Sequence, residues 1–362
     1  MAQLSQSIRF CTAEDRTRIA FATTGQGPAV VRAAHFLTHL DFDLNSPVWG
    51  PWIGELSRSN TLVRYDGRGC GLSDLTTQPL SLDAWVSDLE AVVDAAGVER
   101  FALLGCSQGA AISIAYAARH PERVSGLVLL GGYARGTQRR NATPEQLKQA
   151  RLMLDLIELG WGQDNPAFRQ VFTSLFIPGG SPEQVRWFNE LERLSCTPAH
   201  ALQTVAAFGQ IDVCALAAQV HCPTLVLHAR DDARVPFEEG RHIAGLIPGA
   251  RFVPLESHNH VLLQGEPAFA HCLAEIHAFL QAHHHTRAPD SAFPSLTPGE
   301  RELLELLAHG LDNLQISAHL GLSEKTVRNK VSAVFAKLEA PTRAQAIVRA
   351  RDAGFGHTDL PR

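Results

Sequence analysis

An α/β domain with a helical cap, followed by a small all-α domain of four short helices, is the fold class this chain of 362 residues predicts. Three observations carry it. Short apolar runs alternate with helix-period segments up to about residue 282, which implies a mostly parallel sheet covered by helices on both faces. The interval from about 133 to 218 carries no strand signal, only helical runs punctuated by Pro144, Pro166, Pro178, Pro182 and Pro198. An insertion of that length is too long for a plain loop and reads as a cap over the sheet. From residue 295 onward only capped, helix-period segments remain.

The expected strands are Arg18–Thr23, Ala29–Ala34, Leu62–Tyr65, Phe101–Gly105, Val124–Leu130, Thr224–His228 and Arg251–Pro254. Gly25-Gln26-Gly27-Pro28 joins the first two and is a turn signal consistent with a hairpin. Helical periodicity spans Ser81–Ala96, Gln108–Arg119 and Pro267–Ala282. The domains are therefore 1–282, a polar Pro-containing linker 283–294 that begins with three histidines, and 295–362.

Composition is that of an ordinary globular protein, 45% apolar and 19% charged. The N-terminus lacks an apolar export region and no stretch of about 18 apolar residues occurs, so a cytoplasmic protein without a membrane partner is expected. Seven widely spaced cysteines without a CxxC pair fit free thiols better than disulfides or zinc. No metal and no cofactor are expected. The net charge of −5 argues mildly against nucleic-acid binding, but residues 291–362 carry nine Lys/Arg against eight Asp/Glu. The acids Glu300, Glu302 and Glu305 gather in the tail's first helix, whereas Lys325, Arg328, Lys330 and Lys337 fall on its third.

Gly105-Cys106-Ser107-Gln108-Gly109 is a GxSxG motif that follows an apolar strand and opens a helix. Such a setting lifts the serine hydroxyl above the sheet, and the helix N-terminus favours developing negative charge. A serine nucleophile needs a base, and the base an orienting acid. Asp231 and Asp232 follow a later strand, and Asp232, four residues before Pro236, has the preferred spacing. His258 and His260 follow the last strand, with His260 preferred. The order Ser107, Asp232, His260 is that of a hydrolase triad, whether it turns over or stands idle.

On these residues, together with Arg64-Tyr65-Asp66-Gly67-Arg68-Gly69, the region from about 10 to 282 resembles the α/β-hydrolases related to esterases and haloperoxidases. Asp66 and Arg68 are read as fixing their loop. Relatives of this type carry His-Gly after the second strand, where backbone N–H groups build an oxyanion hole. Here the segment is His35-Phe36-Leu37, without glycine, and the resemblance leaves Gln108 with Phe36 or Leu37 as main-chain donors. A ligand pocket between cap and sheet is expected to use His35, Trp161, Phe172, Phe176 and Trp187.

The tail has its own signature. Thr297-Pro298-Gly299-Glu300 is a capping box with proline at the first helical position. Asn313–Leu320 forms a second helix, Gly321-Leu322 a turn, Ser323 the cap of a third helix, and Thr342 with Gln345 opens a fourth. Over almost its whole length this tail resembles the LuxR-type (GerE-like) helix-turn-helix domain. The resemblance implies that Lys325, Thr326, Arg328, Asn329 and Lys330 contact double-stranded DNA. Such domains bind as dimers. Ala344, Ile347, Val348 and Arg351 share one face of the fourth helix, which either forms a homodimer contact or packs on the first helix.

The function expected is a DNA-binding transcriptional regulator whose hydrolase-like domain senses, and slowly hydrolyses, a small largely apolar ester, lactone or amide. Transcription machinery is then a further partner. The alternative is an active serine esterase or amidase with the tail in a secondary role. A third reading is a dimeric module that uses the hydrolase fold to recruit a protein.

Overall fold

In the computed structural model the apolar runs of the first 280 residues pair into a single sheet. Its strands are β1 (Ser7–Thr12), β2 (Arg18–Thr24), β3 (Ala29–Arg32), β4 (Thr61–Tyr65), β5 (Phe101–Cys106), β6 (Val124–Leu130), β7 (Thr224–Ala229) and β8 (Arg251–Leu255). They lie in the order β1-β2-β4-β3-β5-β6-β7-β8. The pairs β1–β2 and β2–β4 are antiparallel and all later pairs parallel. The structure describes residues 4–75, 78–163, 166–283, 293, 295–353 and 355–356, so the 283–294 linker falls almost wholly outside the described residues.

Strands β5, β6 and β7 are buried along their whole length, as continuous apolar runs in a doubly covered parallel sheet must be. Alternate residues feed two cores. Val31, Val63, Leu103, Leu127 and Val226 face α3 (Leu82–Ala96) and α4 (Gly109–Arg119). Val30, Leu62, Leu104, Val128 and Leu225 face α2 (Trp49–Ser57), α11 (Pro267–His283) and the cap. Period-two alternation thus places one helical layer on each face.

The expected hairpin between β2 and β3 does not form, because β4 lies between them. The two glycines serve another purpose. A Cβ on Gly25 would sit 2.2 Å from the Ser57 carbonyl oxygen, so the connection crosses tightly over the chain between α2 and β4. The hairpin instead joins β2 to β1, an exposed edge strand whose weak alternation hid it.

The inserted cap consists of α5 (Pro144–Gly160), α6 (Pro166–Phe176), α7 (Pro182–Ser195) and α8 (Pro198–Phe208). Of the shorter helices, α9 (Cys214–Ala217) lies at its end, and α1 (Leu40–Leu44) and α10 (Phe237–Leu246) lie outside it. Four of the five prolines that punctuate this interval, Pro144, Pro166, Pro182 and Pro198, mark helix starts, and Pro178 sits in the turn between α6 and α7. Thr143 with Gln146 and Ser181 with Gln184 form reciprocal capping boxes, each followed by proline at the first turn.

Asp66 and Arg68 fix the loop after β4. Asp66 is buried and accepts from the N–H groups of Leu40 (3.0 Å) and Leu72 (2.8 Å). Arg68 is buried and forks onto Asp88 at 2.7 and 2.8 Å, with Asp15 at 2.7 Å.

The second compact unit, Gln281–Arg362, contains α12 (Pro298–Ala308), α13 (Asn313–Leu320), α14 (Glu324–Lys337) and α15 (Arg343–Asp352). Leu303, Leu304, Leu307, Ile316, Val327, Val331 and Val334 form its core. Gly321, at φ 63°, ends α13 in the left-handed conformation, and Ser323 caps α14 by accepting from the Thr326 N–H. Among the described residues no helix is long and apolar enough to cross a membrane.

Candidate functional site

The first site grows from the end of β5. Ser107 has φ 54°, a left-handed conformation that costs a non-glycine residue about 1–2 kcal/mol. The surroundings impose it. The Ser107 N–H donates to the Leu130 carbonyl at the end of β6 (3.0 Å), and the Ser107 carbonyl accepts from Ala110 in the first turn of α4 (3.1 Å). A Cβ on Gly105 would come within 2.5 Å of the Gly109 carbonyl oxygen, so only glycine lets helix and strand approach this closely. The strained turn presents the serine at a cavity wall.

Asp232 and His260 meet there. The His260 Nδ1–H donates to Asp232 Oδ2 at 2.8 Å, and both side chains are almost fully buried. Asp232 Oδ1 accepts from the N–H groups of Arg234 (2.8 Å) and Val235 (2.9 Å). Burial alone would push this carboxyl up. The charge and hydrogen bond of His260, with His228 and the Val235 N–H, outweigh burial and hold it below the usual carboxylate range. Asp231 and His258, the competing residues, are exposed. The His260 loop is also tied to the cap: the N–H groups of His260 and Val261 both donate to the Phe176 carbonyl, at 2.9 and 3.0 Å.

Ser107 and His260 line a pocket whose other walls are largely apolar: Trp49, Trp52, Leu130, Phe176, Phe188 and Val261. Phe36, Leu37 and Gln108 line it as well, and none of their N–H groups donates to a protein acceptor among the described residues. Leu37 adopts φ 64°, so the bulky residue takes a backbone conformation more natural to glycine. His35 is buried at the same wall, edge-on to Trp49 at 4.5 Å, with neither ring nitrogen hydrogen-bonded. Burial, with the charges of Arg32, His260 and Arg64, holds its pKa well below the ordinary value and keeps the ring neutral. Among the described residues, no group of three or more His, Cys, Asp or Glu side chains is arranged to hold a metal ion.

In the second unit, α14 turns Val327, Val331 and Val334 inward. Lys325, Arg328 and Asn329 are exposed, and Thr326 and Lys330 are half-buried. The Thr326 hydroxyl lies 2.8 Å from Ser323 Oγ at the cap, and Arg328 pairs with Glu324 at 3.0 Å in an exposed i,i+4 contact. Such a contact is worth a few tenths of a kcal/mol and releases readily to a phosphate.

Comparison with known proteins agrees with both halves. Residues 42–179 match the family model described as alpha/beta hydrolase fold, and residues 294–350 match that of bacterial regulatory proteins, luxR family. The chain is an α/β-hydrolase domain joined to a LuxR-type DNA-binding domain. Over 219 residues the hydrolase domain is 28% identical to the AB hydrolase superfamily protein YisY of Bacillus subtilis, covering 60% of this chain and 81% of that protein. Over 249 residues it is 26% identical to the pyrrolizixenacetamide deacetylase of Xenorhabdus hominickii, covering 66% of this chain and 87% of the relative. The esterase EaEST of Exiguobacterium antarcticum superposes with a TM-score of 0.64 at 22% identity, over 75% of this chain and 98% of that one, a likeness of fold.

Not every residue expected at the hydrolase pocket reaches it. Trp161 is buried, donates its indole N–H to the Cys196 carbonyl (3.1 Å), and packs between Phe36 and Phe172. Trp187 stacks on Phe42 at 4.9 Å, outside the cavity. Trp161 ties the cap to Phe36 and Trp187 ties it to Phe42, and neither lines the cavity beside Ser107 where it was expected. Phe172 lines a smaller side cavity that also touches Phe36 and Phe176. The tryptophans that do line the main cavity, Trp49 and Trp52, sit three apart on α2; their helical spacing, in SPVWGPWIG, was the available signal.

In the LuxR-type domain, Lys337 turns away from the basic face and pairs with Glu300 at 2.7 Å, tying α14 to the start of α12. The four residues of α15 also divide. Arg351 donates through Nε to the Ala308 carbonyl (2.9 Å) and Ile347 is half-buried, whereas Ala344 and Val348 are exposed. Ala346 and Ala350 form the buried stripe of that helix.

Proposed function

We propose that this protein is a ligand-responsive transcription regulator in which the hydrolase domain is the sensor. The observation that carries the reading is a largely apolar cavity beside Ser107 in the same chain as a LuxR-type domain. A small, mostly apolar ester, lactone or amide, or the acid derived from one, enters between cap and sheet. It favours one arrangement of a homodimer over another and so alters DNA binding, since only differential affinity shifts such an equilibrium. The transcription machinery is the downstream partner, and α14 is the reading helix, through Lys325, Thr326, Arg328, Asn329 and Lys330.

The test is a DNA titration with the fragment upstream of the protein's own coding region. Lys325→Ala/Arg328→Ala should weaken binding by about 10- to 100-fold and flatten the salt dependence by about two counterions per protomer. Parent-like affinity in the double variant would sink the assignment.

A second reading, a working serine esterase or amidase, is favoured by the His260–Asp232 hydrogen bond and the strained Ser107 turn. Here the purified protein should be labelled by a fluorophosphonate, with labelling lost in Ser107→Ala and in His260→Ala. Absence of labelling in folded parent protein would leave the sensor without turnover.

A further inference from the structure

A second pocket shares Phe36, Ser107, Gln108 and Phe176 with the apolar one, but two arginines line it, Arg140 and Arg234. Their environment is unusual for cations. Arg234 lies over the Phe176 ring at 5.9 Å, and Arg140 over the Tyr133 ring at 5.7 Å. Arg140 makes one long hydrogen bond, Nη2 to Thr137 Oγ1 at 3.4 Å, and its Nε is buried without an acceptor. Neither arginine is ion-paired among the described residues. Of the acids nearby, Asp232 carries His260, and buried Glu239 lies 3.6 Å from Arg135 with its Oε2 unpartnered, within ion-pair distance of that arginine but of neither Arg140 nor Arg234. Burial lowers the pKa of Arg140; Glu239 and Tyr133 oppose this, and the neighbouring Arg234 and Arg135 add to it. Two half-buried guanidinium groups beside Ser107, neither in an ion pair among the described residues, form a site of positive potential that favours an anion.

Resting on the reading of this region as a ligand site, we propose that the ligand is an organic acid: its carboxylate meets Arg140 and Arg234, its carbonyl group lies at Ser107, and its apolar end fills the cavity of Trp49, Trp52 and Phe188. Guanidinium forks suit a carboxylate, and a charge-assisted hydrogen bond from Arg140 Nε would satisfy the orphaned donor. The apolar cavity and the cationic one meet at Ser107, so one amphiphilic molecule spans both. The arginines thus select for charge, and the tryptophans select for the size of the apolar end.

The test is calorimetric titration of the full-length Ser107→Ala protein, which prevents turnover, with three probes: 4-(butanoyloxy)benzoate, its neutral methyl ester, and phenyl butanoate. The acid should bind at least tenfold more tightly than its methyl ester. In an added Arg140→Gln/Arg234→Gln background that ratio should fall to about one, and Arg140→Lys/Arg234→Lys should keep part of it. Equal affinity for acid and ester, or a preference that survives the glutamine substitutions, overturns the proposal. So does binding of phenyl butanoate without preference for the acid. If none of the three binds, the cavity is not a ligand site, and the sensor reading fails with the proposal.

Discussion

Asp232→Asn is expected to slow fluorophosphonate labelling of Ser107 by about 10³- to 10⁴-fold while leaving DNA binding intact. The reason lies in which oxygen does what. Oδ1 accepts from two backbone N–H groups, and Oδ2 accepts from His260 Nδ1 at 2.8 Å. In the amide the oxygen must stay with the two backbone donors, which turns the NH₂ group toward His260. The imidazole can then meet it only with an unprotonated Nδ1, so Nε2 carries the proton and cannot accept one from Ser107. The sign with pH follows from the depressed carboxyl of the parent. Its ionised form supports the fold at every pH above the unfolded value near 3.9, and that support is lost only as the pH falls through the lower folded value. Labelling of the parent should therefore not depend on Asp232 titration anywhere above about pH 4. A variant labelled within tenfold of the parent would remove Asp232 from the triad.

Arg68→Met should destabilise the hydrolase domain by about 3–5 kcal/mol near pH 7, a large share of the stability of any domain. The parent guanidinium is 1% exposed and so is Asp88, while Asp15 is 30% exposed. Burial works against the charge on Arg68, but the hydrogen bonds and charges of Asp88 and Asp15 outweigh it and raise its pKa. Removing the arginine strands the Asp88 carboxylate, which must then take up a proton to remain buried. A carboxyl with a raised folded pKa is most costly at high pH, so the deficit should be smaller at pH 5 than at pH 8. Arg68→Met/Asp88→Leu should recover most of the loss, because the apolar pair leaves only the partly exposed Asp15 carboxylate without its partner. All five tryptophans (Trp49, Trp52, Trp85, Trp161 and Trp187) lie in this domain, so urea unfolding followed by tryptophan fluorescence reports on it alone. An Arg68→Met deficit below about 1 kcal/mol would show that the ion pair is dispensable.

The parts of this protein that were legible in the sequence are those in which local chemistry and tertiary position coincide. Gly105 and Gly109 bracket Ser107 because the turn needs them, and the parallel strands announce themselves as unbroken apolar runs. Proline after threonine or serine marks helix starts in the cap and in α12. Legibility fails where a choice depends on what arrives from far away. Gly25 and Gly27 look like a hairpin turn, yet β4 inserts between the strands they join. Trp161 and Trp187 look like pocket residues, yet each finds its partner elsewhere, in the Cys196 carbonyl and the Phe42 ring. Lys337 belongs to the basic series of α14 by sequence, and only the approach of Glu300 takes it out. Arg140 and Arg234 are 94 positions apart, and no local pattern joins them in one wall.

The carbonyl of Phe176 ends a cap helix and accepts from both His260 and Val261. Cap position and the placement of His260 are thereby one mechanical coordinate. A guest large enough to lift that end of α6 must break or drag those two hydrogen bonds, and with them the alignment of the imidazole. On the proposed reading, a small guest that leaves them intact would be hydrolysed at Ser107, whereas a bulky one would displace His260 and persist. Guest size alone would then sort molecules into fuel and message.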